Sequence, residues 1–231
     1  KKKMDIKGNI VKNQLMLFVK STIVNPSFDS QTKETLTTAK KGFGSECKLE
    51  NNFIDKVWKL DIVDKIINQS EFKNSKQLKK TDGKKQRNIL GVPKLCDANK
   101  AGTKDSKKCT LILTEGDSAK SMAIAGLSVV GRDYYGVFPL KGKVLNVKDA
   151  DVEKITKNDE INNLKIILGL KNGEQYDMAS LNNLRYGKIM VMTDQDVDGS
   201  HIKGLLLNIF HSHWKTLLEI EYVTCLLTPI I

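Results

Sequence analysis

Twice in this sequence a short apolar run breaks directly into carboxylates and then into a helical pattern. The runs are Thr110-Leu-Ile-Leu-Thr114 and Ile189-Met-Val-Met192. Continuous apolar character over so few residues reads as a strand buried on both faces. The first run is followed by Glu115-Gly116-Asp117-Ser118 and by apolar positions at Met122, Ile124, Ala125 and Leu127, with Asp117 or Ser118 expected to cap that helix. The second is followed by Asp194, Asp196 and Asp198, and then by Ser200 as the expected cap of a helix whose apolar face is Ile202, Leu205, Leu206, Ile209 and Phe210. Tyr135-Gly-Val-Phe138 is a third candidate strand, and residues 158–168 place Ile161, Leu164, Ile167 and Leu168 at helical spacing. Strands alternating with helices predict an α/β fold with a mostly parallel sheet covered by helices. The acids then fall at the carboxyl ends of the strands, where open α/β folds keep their sites.

Residues two apart in an extended chain point to the same side, so Asp194, Asp196 and Asp198 are expected to converge. Carboxylates so close repel one another, and a hard cation relieves that. Oxygen-only donors favour Mg²⁺ or Mn²⁺. Glu115 at the end of a neighbouring strand would bring a fourth carboxylate to the same pocket. Such a cluster holds one or two divalent ions, and two can stabilise both the attacking and the leaving oxygen of a phosphodiester exchange. Glu115 can be a ligand or a general acid/base. Gly116 is expected to let the backbone approach closely and Gly199 to permit the sharp turn into the helix. Lys141-Gly142-Lys143 should lie near the same sheet edge, facing a phosphate backbone or simply solvent. Asp-x-Asp-x-Asp-Gly is also the first half of an EF-hand loop, but that loop needs Glu at its twelfth position, which here is Leu205, and should follow a helix. A solvated acidic turn without a ligand is the plainer alternative.

The chain of 231 residues carries a net charge of +11. That balance suggests a polyanionic partner, although nearly all of it is lysine, with Arg87, Arg132 and Arg185 the only arginines. Cys47, Cys96, Cys109 and Cys225 are scattered without C-x-x-C spacing, which argues against zinc or a disulfide framework. His201, His211 and His213 do not form a metal-binding pattern. No apolar run is long enough to span a bilayer, and Lys1–Lys3 precede no signal-like segment. The apolar end at Leu226–Ile231 suggests a piece of a longer protein.

Upstream, residues 10–24 are expected to be a helix ended by Asn25-Pro26, with Leu15, Phe18, Val19 and Thr22 on one face. Phe53 to Ile67 return to helical spacing through Ile54, Val57, Trp58, Asp61, Ile62 and Ile66. Residues 71–88 read as a basic connector bearing Lys73, Lys76, Lys79, Lys80, Lys84, Lys85 and Arg87, and loop continues to Lys108.

Three ordered motifs carry a resemblance. Thr114-Glu-Gly-Asp-Ser-Ala-Lys120, Pro139-Leu-Lys-Gly-Lys-Val-Leu-Asn-Val147 and Met192-Thr-Asp-Gln-Asp-Val-Asp-Gly-Ser-His-Ile202 resemble the Toprim domain of type II DNA topoisomerases. They are closer to the eukaryotic form than to bacterial gyrase, because Ser118-Ala119-Lys120 stands where gyrase continues glycine-rich. Asn25-Pro-Ser-Phe-Asp-Ser-Gln-Thr-Lys-Glu34 resembles the lysine loop that ends the transducer of the ATPase region, and Gly91-Val-Pro-Lys-Leu95 resembles the entry to the cleavage core. The resemblance implies a Rossmann-like Toprim sheet over residues 109–231, a basic linker over 76–108, and over 1–75 the C-terminal part of an α+β transducer.

It also implies that Glu115 is a Mg²⁺ ligand and the general acid/base of cleavage and religation. Asp194 would bridge both metal positions, Asp196 would hold the second, and Asp198 would complete the set; Mn²⁺ or Ca²⁺ are possible substitutes. Lys143 and Asn146 match positions that contact DNA. Gln31, Thr32 and Lys33 match the loop that reaches the terminal phosphate of ATP, where a lysine neutralises charge during phosphoryl transfer. The whole enzyme would be a nuclear homodimer acting on duplex DNA, making transient double-strand breaks without any membrane partner. The family's nucleophile is a tyrosine outside this stretch, so Tyr134, Tyr135, Tyr176, Tyr186 and Tyr222 are not nominated. The alternatives are another Toprim enzyme, such as a primase or nuclease, or a non-catalytic DNA-binding module that keeps the fold. The Gln31-Thr32-Lys33 loop argues against the first and the complete set of acids against the second.

Overall fold

The computed structural model describes Ile6, residues 8–60 and residues 62–227. Lys1–Lys3, Asp61 and the Thr228-Pro-Ile-Ile231 end, all used in the expectations above, lie outside the described residues. The chain divides into two compact units, Lys1–Phe72 and Lys73–Ile231.

The second unit is built on an all-parallel sheet of four strands. They are β1 (Thr110–Thr114), β2 (Tyr135–Pro139), β3 (Lys188–Met192) and β4 (Val223–Cys225), in the spatial order β2-β1-β3-β4. The strands expected from apolar runs appear with almost the same bounds. Burial on both faces explains their uniform composition. Leu111 and Leu113 of β1 join the larger core with Ile161, Ile167, Ile202 and Leu206, while Ile112 packs with Val137, Ala123 and Leu127 on the other side. β4 falls in a segment where the sequence pattern was indistinct: it is short and only half-buried.

The helices of this unit are α4 (Asp117–Val130), α5 (Val152–Thr156), α6 (Asp159–Leu168), α7 (Val197–His213) and α8 (Lys215–Glu219). The apolar stripes of α6 and α7 are buried as their spacing predicts. Their caps differ from the expectation. Neither Asp117 nor Ser118 caps α4: Gly116 occupies the cap position without a side-chain bond, and Asp117 is already the first helical residue. α7 starts before Ser200, because the Asp196 carboxylate accepts from the Gly199 amide at 2.7 Å and makes Asp196 the cap. Ser200 instead donates back to the Asp196 carbonyl at 2.9 Å from inside the helix.

The stretch expected as a linker is more ordered than its composition suggests. A continuous helix, α3 (Ile62–Lys79), runs through the lysine-rich part, since lysine, glutamine and glutamate are good helix formers. Residues 80–105 carry no helix or strand and Ser106–Lys108 form one 3-10 turn, yet Val92, Ala98 and Ala101 enter the core of the second unit. Two buried cations fasten this stretch. Lys165 of α6 donates to the Leu78 carbonyl (2.9 Å) and the Thr81 hydroxyl (2.8 Å) and pairs with Asp82 at 3.0 Å. Arg185 is fully buried and donates to the Gln86, Arg87 and Ile167 carbonyls and to Asp97.

The first unit, described by itself, contains α1 (Gly8–Lys12), α2 (Asn51–Trp58) and most of α3. The expected helix over 10–24 is not formed: α1 ends at Lys12 and irregular chain follows. The following residues include β-branched Val19, Thr22, Ile23 and Val24, which disfavour helix. Phe18 is 90% exposed, so the apolar stripe lacks the packing that stabilises a short helix in water. The expected single helix over Phe53–Ile67 is interrupted after Trp58, giving the two helices α2 and α3.

Candidate metal and DNA site

Parallel register fixes the core of the site. Thr114, the last residue of β1, lies opposite Met192 at the end of β3 and opposite Pro139 at the end of β2. Glu115 therefore leaves the sheet beside Asp194, and Lys141–Lys143 leave it on the other side of Glu115. The chain order β1, β2, then back across β1 to β3 makes the gap between β1 and β3 the switch point of the sheet, where a crevice for a ligand opens.

Gly199 shapes this crevice. A Cβ placed on it would stand 2.1 Å from the carbonyl oxygen of Asp194 and 3.1 Å from the Thr193 hydroxyl. Only glycine lets the first turn of α7 fold so tightly over the end of β3. At Gly116 no protein atom requires glycine: its φ of −172° is ordinary extended backbone, and nothing lies within 4 Å of its added Cβ.

The acids do not converge as their two-residue spacing suggests. Among the described residues, no three His, Cys, Asp or Glu side chains lie close enough to share a metal ion. The strand stops at Met192 and the chain is helical from Val197, so alternation cannot carry through Asp198. Asp196 caps α7, and Asp198 lies in the helix, paired with Lys143 at 2.9 Å. That hydrogen bond holds the Asp198 carboxyl below its usual range and lifts Lys143 above its own, with the Glu115 charge adding to the second shift. Lys143, expected to meet a phosphate, thus faces an acid of the site. Asp117 is likewise paired, with Lys94 at 2.6 Å, which lowers its pKa.

The donor set still fits a hard cation. Glu115 Oε2 is buried and has no hydrogen-bond partner, a costly state for a carboxylate oxygen. Asp194 beside it is exposed. Every candidate donor here is a carboxylate oxygen, the chemistry Mg²⁺ takes. Asp196 keeps one oxygen beyond its cap bond.

Asn146 lies past the Lys141–Lys143 turn, in which Gly142 has φ +66°. Its side-chain oxygen accepts from the Lys148 amide (3.1 Å) and from Asn208 of α7 (2.8 Å). Sequence reading missed Asn208, since a lone polar residue on an amphipathic helix carries no signal. It also missed Lys165 and Arg185, although Lys165 stands conspicuously inside the apolar stretch Leu164–Leu168.

Gln31, Thr32 and Lys33 form the tip of a small exposed hairpin in the first unit, closed by the Phe28–Leu36 bridge. Lys33 has φ 58°, its amide donates to the Ser30 carbonyl at 3.1 Å, and its ammonium stands 6.0 Å from the centre of the Phe28 ring. Three tyrosines are buried: Tyr176, Tyr186 and Tyr222. Burial pushes the Tyr176 phenol up to about 12 and the other two higher still, so none is a ready nucleophile.

Comparison with known proteins assigns the class. Residues 110–224 match the Toprim domain, and residues 1–86 match DNA gyrase B. The chain is a Toprim protein, with its acids at the switch point of the domain's parallel sheet. It is 54% identical over 232 residues to DNA topoisomerase 2 of Pisum sativum, covering 100% of this chain and 16% of the relative. Against DNA topoisomerase 2-alpha of Homo sapiens it is 53% identical over 228 residues, covering 98% of this chain and 15% of the relative. A solved structure of the Plasmodium falciparum topoisomerase II DNA-binding, cleavage and re-ligation domain aligns with TM-score 0.60 and 55% identity, covering 63% of this chain and 20% of that one. The chain belongs to the type II DNA topoisomerase family, in its eukaryotic form, and spans about one-sixth of the length of the curated relatives it matches. Among the described residues no helix is long and apolar enough to cross a membrane.

Proposed function

We propose that this chain supplies the metal-dependent DNA cleavage and religation site of an ATP-dependent type II DNA topoisomerase, which breaks both strands of a duplex transiently and passes another duplex through. The observation that carries this reading is Glu115 immediately after β1, with a buried, unpartnered Oε2, while Asp194 follows the end of the neighbouring parallel strand β3. Glu115 with Asp194, and Asp194 with Asp196, would hold Mg²⁺ as pairs, because no three of these carboxylates stand close enough to share one ion, and Asp198 would complete the set once released from Lys143. Bound there, the ion would supply electrophilic stabilisation of the scissile phosphate and the sugar oxygen.

The chain's own groups have separate tasks. Glu115 gives and takes the proton of the sugar oxygen. Lys143, displaced from Asp198, turns to a DNA phosphate, and Asn146 contacts the same strand. Gln31, Thr32 and Lys33 present their hairpin tip to the terminal phosphate of ATP. In this reading residues 1–75 end the transducer, 76–108 connect, and 109–231 are the Toprim domain; the boundaries of the two family matches support that division. The working enzyme is a homodimer, because cutting two antiparallel strands alike calls for a two-fold axis, and it acts in the nucleus as a eukaryotic DNA enzyme. The DNA gyrase B match upstream of the Toprim domain weighs against a primase or nuclease.

The test is Mg²⁺-dependent cleavage of supercoiled plasmid by the full-length protein, with Glu115→Ala and Asp194→Ala beside the wild type. Both variants should bind DNA and lose cleavage. Cleavage at the wild-type rate would mean that the acids are only a structural turn.

A further inference from the structure

Asn146 and Asn208 fix each other's orientation in a way that decides what Asn146 can offer. The Lys148 main-chain N–H can only donate, so the end of the Asn146 amide facing it at 3.1 Å is the oxygen. Asn208, 2.8 Å from the same oxygen, must then present its NH₂ group. Its own oxygen in turn lies 3.4 Å from the Ser212 hydroxyl one helical turn along α7. The donor sense of the whole chain is thus set, running from Ser212 through Asn208 to Asn146. Both lone pairs of the Asn146 oxygen are used inside the protein. Asn146 is exposed, and its remaining capacity is the NH₂ group, a donor and nothing else.

We propose that Asn208 is a positioning residue that makes Asn146 a donor-only contact, directed at a hydrogen-bond acceptor on the DNA. The inference rests on the reading of Asn146 as a DNA contact and says what kind of contact it makes. Without Asn208 the Asn146 oxygen keeps one lone pair free and the amide is held by a single bond. It can then turn its acceptor outward, which no phosphate oxygen will receive. α7 matters for the same reason. Asp198 near its start engages Lys143, and Asn208 farther along engages Asn146. One helix thus sets both the acidic turn and the face of the Lys143–Asn146 segment.

The test is a double-mutant cycle in the full-length protein with Asn146→Ala, Asn208→Leu and the pair, reading affinity for short duplex DNA over a range of salt, with thermal melting as a check on folding. Leucine keeps the branched shape and heavy-atom count of the Asn208 side chain and removes the donor. The expected result is a loss of roughly three- to tenfold in affinity for Asn208→Leu, the worth of one neutral hydrogen bond, with an unchanged salt slope because no charge is removed. In the Asn146→Ala background the same substitution should change affinity less than about twofold. An equal loss in both backgrounds would overturn the inference and leave Asn208 as a packing residue. If Asn146→Ala alone leaves affinity untouched, the reading of Asn146 as a DNA contact fails first, and the inference with it. If the contact is to a phosphate, the Asn146→Ala loss will be the same for every DNA sequence; if to a base edge, it will depend on sequence.

Discussion

Single side chains at the switch point carry the chemistry, and each can be tested alone. Glu115→Ala in the full-length protein should slow Mg²⁺-dependent plasmid cleavage by at least a hundredfold, on the order of what general acid–base groups contribute, while gel-shift binding of DNA persists. Gly199→Ala tests geometry rather than chemistry. Its Cβ would meet the Asp194 carbonyl at 2.1 Å, backbone against backbone, so the turn must open at a cost of about 1–3 kcal/mol. A lowered melting temperature together with weakened cleavage is expected, because Asp194 moves with its carbonyl. Glu160 of α6 gives a pH signature. It is 8% exposed, neither oxygen makes a hydrogen bond of ordinary geometry, and burial raises its pKa, offset in part by the amide and charge of Lys141 and by Lys94, while Asp159 adds to the rise. A carboxyl with a raised folded pKa burdens the fold when ionised, so its penalty is full above the folded pKa and vanishes below the unfolded one. Glu160→Gln should therefore raise the melting temperature near neutral pH, and the gain should fade as the pH is lowered through that window.

At the level of elements, the segment between the two family matches is held by cations rather than by apolar packing alone. Arg185 gives its guanidinium to three main-chain carbonyls and to Asp97 from a fully buried position. Arg185→Met would strand all of these acceptors and leave the Asp97 charge unpaired. Denaturant unfolding should show a loss of about 3–5 kcal/mol, whereas Arg132→Met at an exposed position should cost less than about 0.5 kcal/mol. Within the second unit, elements whose pattern was apolar and periodic were legible in advance, whereas the equally periodic stretch 10–24 was not, because nothing buries it. β1, β2 and β3 and the helices α6 and α7 follow from runs and stripes that only burial explains. The starts of α4 and α7 were not legible: the first turn of α7 is decided by the Gly199 amide donating to Asp196, and Ser200 looks as good a cap in one dimension.

For the molecule as a whole, the two units differ in how much they bury. The unit from Lys73 onward owns the sheet and both apolar clusters. The unit up to Phe72 leaves Met16, Leu17, Phe18 and Val19 largely exposed on irregular chain. Limited proteolysis of the 231-residue chain should therefore cut first between residues 13 and 50, where unpaired backbone is open to a protease. A stable fragment containing residues 73–227 should remain, identified by mass spectrometry. First cuts inside β1–β4 would contradict this division.

The sequence by itself determined the class of fold, three of the four strands of its sheet and the carboxyl edge on which the acids stand, because uniform apolar runs ending in acids admit few other arrangements. It could not set the spacing of those acids. Their separation along the chain is two residues, but what faces what depends on where strand becomes helix, and tertiary contacts decide that: the Gly199 approach, the Asp196 cap and the Lys143–Asp198 pair. The burial of Lys165 and Arg185 and the pairing of Asn146 with Asn208 were equally beyond one-dimensional reading. Each joins groups 18 to 99 residues apart, and only the folded sheet brings such partners within hydrogen-bonding distance.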